Sequence, residues 1–309
     1  SGSVDAKIRT LSHFPSHQKK LIESMLIIGC GHMGQRVIRR LAQPSLITGL
    51  TRGSDTAAAI KALGAQAIQA DLDQDPLPPL PSTGAQVLYL APPPAQGTTD
   101  TRMTRFLAAT ARDGEPARIV YVSTTGVYGD CGGQWVDEDW PARPNVDRAR
   151  RRWDAEQQLR AWRARTRGEL VILRVAGIYG PGKLPLTRLQ KGLPMIPESE
   201  APWTNRIHAD DLTTVLLAAL ERGRDGEVYN TCDGHPVRVH HRAHRERVGQ
   251  GAVGGQGAVG ARELEGGHLE EHLAPFDRRA ESLGEVAAHR DGPRGWQAAR
   301  QNIVKAAAI

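Results

Sequence analysis

Apolar residues in this chain come in short runs separated by polar stretches of helical period. Met25-Leu-Ile-Ile28 is a continuous apolar run ending at Gly29, which is how a strand buried on both faces reads. Immediately after it, Val37, Ile38 and Leu41 share one face of a helix over 35–42. The alternation continues. Ser45–Arg52 predicts a second strand, Thr56–Leu63 a helix, Ala65–Ala70 a short third strand and Gln86–Leu90 a fourth. Thr101–Arg112 predicts a helix, Ala117–Ser123 a fifth strand, Asp147–Thr166 a long helix and Glu169–Arg174 a sixth strand. Asp75–Thr83 is too proline-rich for an ordinary helix. Leu212–Leu220 predicts a further helix, with Asp211 as its cap. Strands that alternate with helices predict an α/β fold with a parallel, doubly wound sheet.

Composition narrows the partners. At 309 residues the chain has room for one large domain or two modest ones. Its net charge of +6 and pI near 9.5 are mildly basic. No Lys/Arg face is interleaved with aromatics, so nucleic acid is not a predicted partner. The run Arg148-Ala-Arg-Arg-Arg152 reads as a solvated helix end. Cys30, Cys131 and Cys232 make no C-x-x-C or metal spacing, and an odd count argues against a disulfide framework. No metal is predicted, and a reducing cytoplasm fits best. No apolar run approaches the ~20 residues that span a bilayer, so no membrane is predicted. Residues 1–24 lack a hydrophobic signal segment; they read as a disordered leader or tag, with Met25 a natural start. Asp5, Glu23 and weak periodicity count against a transit peptide.

The glycines after the first strand carry the chemistry. Gly29, Gly31 and Gly34 are spaced G-x-G-x-x-G between a strand and a helix, the context that makes the motif informative. Gly29 permits the tight turn, Gly31 lets a pyrophosphate approach the backbone, and Gly34 lets helix and strand pack closely. The helix N-terminus, opened by His32 and Met33, offers N–H groups and a positive dipole to phosphates. The plainer reading is a glycine-rich strand–helix turn without a ligand. A dinucleotide with a free 2′-hydroxyl usually meets an acidic residue about 20 residues on. Here that corner is Thr51-Arg52-Gly53-Ser54, without a carboxylate until Asp55. A guanidinium suits a 2′-phosphate, which places NADP(H) ahead of NAD(H). The plainer reading of Arg52 is a solvated surface charge.

Two later turns add to this loop. Ser123-Thr-Thr-Gly-Val-Tyr-Gly129 follows the fifth strand and Arg174-Val-Ala-Gly-Ile-Tyr-Gly-Pro-Gly182 the sixth. Trp203-Thr-Asn-Arg-Ile-His-Ala-Asp-Asp211 and Val228-Tyr-Asn-Thr-Cys-Asp-Gly234 come next in order. With the glycine loop, these stretches resemble the extended short-chain dehydrogenase/reductases, the NAD(P)-dependent epimerase/dehydratase-like proteins, from about Met25 to Val237. The resemblance implies a Rossmann-type sheet with a smaller substrate lobe that is incomplete here.

The resemblance also implies roles. Thr124 stands where a Ser or Thr bonds the reacting oxygen. A Tyr then transfers the proton, and a Lys four residues later holds the nicotinamide ribose. Alignment on Asp154-Ala155-Glu156 puts Arg150 at the Lys position and Val146 at the Tyr position. Val146 cannot transfer a proton, a loss that typically costs about 10²–10⁴-fold, and a guanidinium is no general base. Asp71 and Leu72 match positions that touch adenine. Ala91 and Pro92 open a Pro-Pro-Pro run that replaces a turn beside the cofactor, and its missing N–H groups weaken ribose contacts. Ser123 completes the cofactor set. Thr125, Tyr128, Trp203, Asn205 and Arg206 fall on the substrate side, where an Arg clamps phosphate or makes a structural ion pair. Tyr128 and Tyr179 are usually structural in such turns. His208 carries an imidazole suited to proton exchange near neutral pH, but the plainer reading packs it in the sheet.

The resemblance stops near Val237. His240–Arg247 and the tandem Gly-Gln-Gly-Ala-Val-Gly at 249–254 and 255–260 lack apolar periodicity until Trp296–Ile309. A flexible linker and a metal-binding tail are alternatives; we read a shifted reading frame, too poor in apolar surface to offset its ordering entropy. The domains expected are a leader at 1–24, a dinucleotide-binding domain at 25–180 completed by 205–230, and a substrate lobe at 181–309 that is atypical over 238–309. The activity implied is NADP-preferring hydride transfer on a nucleotide sugar or related small molecule, with weakened catalysis and a homodimer as the compatible assembly. The alternative is a non-catalytic dinucleotide-binding redox sensor.

Overall fold

The computed structural model describes residues 24–181, 203–234 and 236–238. The leader expected over 1–24 and the altered text expected over 238–309 lie, but for Ser24 and Arg238, outside the described residues. β1 (Met25–Ile28) leads into α1 (His32–Arg40), β2 (Ile47–Thr51), α2 (Ser54–Ala62), β3 (Gln66–Gln69) and β4 (Gln86–Tyr89). α3 (Thr101–Asp113), β5 (Arg118–Thr124), α4 (Asp147–Arg165) and β6 (Glu169–Val175) follow. β7 (Gly177–Tyr179), β8 (Trp203–Thr204), β9 (Arg206–His208), α5 (Ala209–Arg222), β10 (Val228–Thr231) and β11 (Val237–Arg238) complete the described elements. Ser45 and Leu46, expected to open the second strand, belong instead to a 3₁₀ turn, Pro44–Leu46.

Seven strands form one parallel sheet in the order β10-β6-β5-β4-β1-β2-β3. Alternate residues of β1 serve opposite faces. Met25 and Ile27 join Val37 and Ile38 of α1, Ile60 of α2 and Leu212 and Leu216 of α5. Leu26 and Ile28 join Met103 and Phe106 of α3 and Ala155, Leu159 and Trp162 of α4. Helices on both faces explain why the central strands are apolar throughout. The strand order reverses between β1 and β4, which opens a crevice at their carboxyl ends. A parallel pair, β7 with β9, and an antiparallel pair, β8 with β11, stand apart from the sheet. No described helix is long and apolar enough to cross a membrane.

Candidate functional site

The glycine turn sits at the crevice. Gly29 has φ +78°, and a Cβ there would lie 2.6 Å from the backbone N and Cα of Ala91. Its two constraints are therefore a left-handed backbone and the turn after β4 leaning against it. A Cβ on Gly31 would meet nothing within 4 Å, so protein packing does not require glycine there. Gly34 fits against the Cys30 sulfur, 2.8 Å from its Cβ position, and Ile27 Cγ2 at 3.1 Å. Burial pushes the Cys30 thiol up to about 12. α1 begins at His32 without a capping side chain and without an acid in its first turn. Its N-terminal N–H groups and dipole thus suit an anion. Open space at Gly31 and an uncapped helix start fit a dinucleotide pyrophosphate. His32 Nε2 accepts from Arg36 Nε at 3.4 Å, and Arg36 is ion-paired with Asp210 at the start of α5.

On the β2–β3 side the corner mixes charges, with Arg52, Arg102 and Arg105 set around Asp73. Thr51 is buried, and its carbonyl accepts from Ala70 N at 2.9 Å. Arg52 is exposed, and its carbonyl accepts from Gln69 Nε2 at 3.2 Å. Its guanidinium makes no hydrogen bond or ion pair among the described residues. Asp71 Oδ1 accepts from Asp73 N at 3.0 Å. Leu72 is buried, and its carbonyl accepts from Arg105 at 3.2 Å. Arg102 of α3 ion-pairs with Asp73 and donates to Pro92 O at 2.9 Å, which ties the loops after β3 and β4 together. Its hydrogen bond holds the Asp73 carboxyl below the usual carboxylate range, with Arg105 and Arg52 adding to the field.

Beyond β5 the polar groups are largely committed. Ser123 Oγ donates to Glu156 Oε1 at 2.5 Å. Glu156 in turn accepts from Arg174 Nη2 at 2.9 Å and Nε at 3.3 Å. Thr124 Oγ1 accepts from Gly126 N at 3.2 Å and so caps the 3₁₀ turn Thr125–Tyr128. Tyr128 is buried and donates to Asn230 Oδ1 at 2.7 Å, with Arg174 lying 4.7 Å over its ring. Burial raises the Tyr128 phenol above its ordinary value. Trp203 and Asn205 are exposed on and beside β8; Arg206 lies against Gly177 across the β7–β9 pair. His208, not Asp211, caps α5: its Nδ1 accepts from Asp210 N at 3.3 Å, and its ring meets Tyr179 edge-on at 5.3 Å.

Helix α4 departs from the sequence reading. The basic run at its start is not uniformly solvated: Arg148 and Arg150 are exposed, whereas Arg151 and Arg152 are buried. Arg150 pairs with Asp147 at 2.6 Å on the outer face. Two residues of helix turn the side chain by roughly 200°, and Arg152 is the guanidinium that enters the sheet's end. Its Nη1 donates to Val122 O at 2.9 Å, Ala91 O at 3.2 Å and Tyr121 Oη at 3.3 Å. The residue four before it is Arg148, so this register also lacks a phenol. A signal existed in the sequence. Ala149, Arg152, Glu156 and Leu159 share one stripe at helical spacing, and two of them carry charge.

A family model described as "NAD dependent epimerase/dehydratase family" matches residues 25–232. Protein YeeZ of Escherichia coli K12 is 34% identical over 123 residues, which cover 39% of this chain and 42% of YeeZ. The chain thus spans about two fifths of the length of that curated relative. A solved structure of a functionally unknown conserved protein from Silicibacter pomeroyi is 34% identical, with a TM-score of 0.60 over 74% of this chain and 79% of that one. A double mutant of dTDP-glucose 4,6-dehydratase from Streptomyces venezuelae, solved with NAD bound, superposes with a TM-score of 0.62. It is 20% identical over 74% of this chain and 81% of its own, a likeness of fold.

Proposed function

The chain belongs to the NAD dependent epimerase/dehydratase family, and within it we propose an NADP-preferring oxidoreductase that acts on a small molecule of the nucleotide-sugar class. The observation that carries this reading is the crevice itself: an open Gly31 and an uncapped helix start, with the exposed Arg52 at the end of β2. Gly29, Gly31, His32, Met33 and Gly34 would hold the pyrophosphate. Thr51, Arg52, Asp71 and Leu72 would take the adenosine half, and Ala91, Pro92, Ser123 and Thr124 the nicotinamide half. When bound, the cofactor supplies hydride transfer. Arg52 would face the 2′-phosphate with a guanidinium that no described carboxylate occupies. Thr124 would orient the reacting oxygen. Thr125, Tyr128, Trp203, Asn205 and Arg206 form the substrate-side set, with Tyr128 acting by shape because its hydroxyl is bonded to Asn230.

Proton transfer is the weak step in this reading. Val146 precedes α4 and is exposed, Arg150 is paired with Asp147, and Arg152 is spent on carbonyls. None of the three exchanges a proton near neutral pH. That same observation favours a second reading, a dinucleotide-binding redox sensor without turnover.

Calorimetric titration tests the first reading. NADPH should bind more tightly than NADH, and Arg52→Ala should weaken NADPH by about one to two decades, the worth of a charged hydrogen bond, while NADH is unaffected. Equal affinities in the parent protein would overturn the NADP preference. NADPH oxidation with a panel of nucleotide sugars separates the enzyme from the sensor, since the sensor binds and does not oxidise.

A further inference from the structure

The proline run after β4 leaves a gap at the crevice floor. The β4–β5 ladder ends at Tyr89↔Tyr121. β5 itself runs on, paired with β6 as far as Thr124↔Val175. Past Tyr89 the chain reads Leu90-Ala91-Pro92-Pro93-Pro94. Three prolines bring no N–H groups to extend a ladder. The turn instead leans toward β1, where Ala91 closes against Gly29. The carbonyls of Ala91 and Val122 are left facing the space between the separating strands. Arg152 fills it, reaching both carbonyls and the Tyr121 hydroxyl with one nitrogen, and it is 8% exposed.

We propose that Arg152 is a positioning residue that staples the end of β4 to the end of β5, and that this staple holds the proline turn against the glycine turn in the shape that accepts the cofactor. The proposal rests on the dinucleotide reading above. It is a role for the guanidinium in place of the missing backbone donors. Without it, the buried Ala91 carbonyl and the half-buried Val122 carbonyl lose this donor, and the turn that Gly29 packs against loses its tether. All three contacts converge on Nη1, which carries two N–H groups. An ammonium carries three, so a lysine can take over the same acceptors, whereas methionine of similar length cannot. Neighbouring Arg151 is also buried but bonds Gly97 O, further along the loop that leads to α3, rather than Ala91 or Val122.

The test measures NADPH affinity and thermal midpoint for the full chain and for Arg152→Met, Arg152→Lys and Arg151→Met. Arg152→Met should weaken NADPH about tenfold or more, the scale set by one lost hydrogen bond to buried groups. Arg152→Lys should remain within about threefold of the parent. Arg151→Met should lower the midpoint while leaving NADPH affinity unchanged. If the parent binds neither NADPH nor NADH, the dinucleotide reading falls and the staple falls with it. If the parent binds and Arg152→Met binds equally well, only the staple falls. Should Arg152→Met fail to fold, the lysine variant decides: affinity near the parent's supports the staple, and a tenfold loss overturns it.

Discussion

Glu156→Gln is the sharpest stability test of the buried polar network. Glu156 is 0% exposed and its partner Arg174 3%. The carboxylate accepts two hydrogen bonds from Arg174 and one from Ser123. Glutamine keeps the volume but supplies one acceptor and one amide donor, and removes the charge. Arg174 would then be a buried cation without its counter-charge, supported by the rings of Tyr128 at 4.7 Å and Trp153 at 5.6 Å. Removing one partner of a buried ion pair costs about 3–5 kcal/mol. The Ser123 hydroxyl can rotate to accept from the new amide, so the lower end, about 3 kcal/mol, is expected. For a domain of this size that is a fall of about 6–12 °C in Tm, read by calorimetry or urea unfolding. A double variant, Glu156→Leu with Arg174→Met, should lose less than the single one, because no charge is stranded. A fall below about 2 °C for Glu156→Gln, or a double variant less stable than the single, would refute the argument that the unpaired charge dominates.

Two further outcomes follow from the titrating groups. Cys30 has its thiol pushed up to about 12 by burial, so alkylation of the folded protein at pH 8 should leave it unmodified and label it only after denaturation. Native labelling at Cys30 would refute its packing under Gly34. Asp73 is held low by Arg102, and Asp225 by Arg163. A carboxyl lowered in the folded state binds fewer protons there than in the unfolded chain, so its contribution is present above the ordinary value of 3.8 and is lost as pH falls through the lowered one. Asp73→Asn should therefore flatten the acid limb of Tm against pH, and parallel curves for parent and variant would count against the Arg102 strap.

Much of the fold is legible in local pattern. Met25–Ile28 reads as a buried strand because apolar residues occupy both faces, and the glycine spacing marks the turn because positive φ and close packing are local demands. The boundaries that shifted did so for local reasons too: Pro44 begins a 3₁₀ turn ahead of β2, and His208 takes the cap position that Asp211 was expected to hold. The site was less legible. The hydroxyls of Ser123 and Tyr128 look available in the sequence, and only the partners that the fold brings, Glu156 from α4 and Asn230 from β10, show that they are committed.

The sequence by itself determined the order of strands and helices, the glycine turn and the absence of a phenol at the expected proton-transfer position, since each is written in neighbouring residues. Tertiary structure decided which arginine of 148–152 enters the sheet. Arg150 and Arg152 are chemically identical and two residues apart, and helix rotation alone does not say which face meets β5. The stripe of Ala149, Arg152, Glu156 and Leu159 says only that these residues share a face; once Ala155, Leu159 and Trp162 bury against the sheet, Arg152 follows them inward. There the carbonyls that three prolines leave without donors give its charge a place.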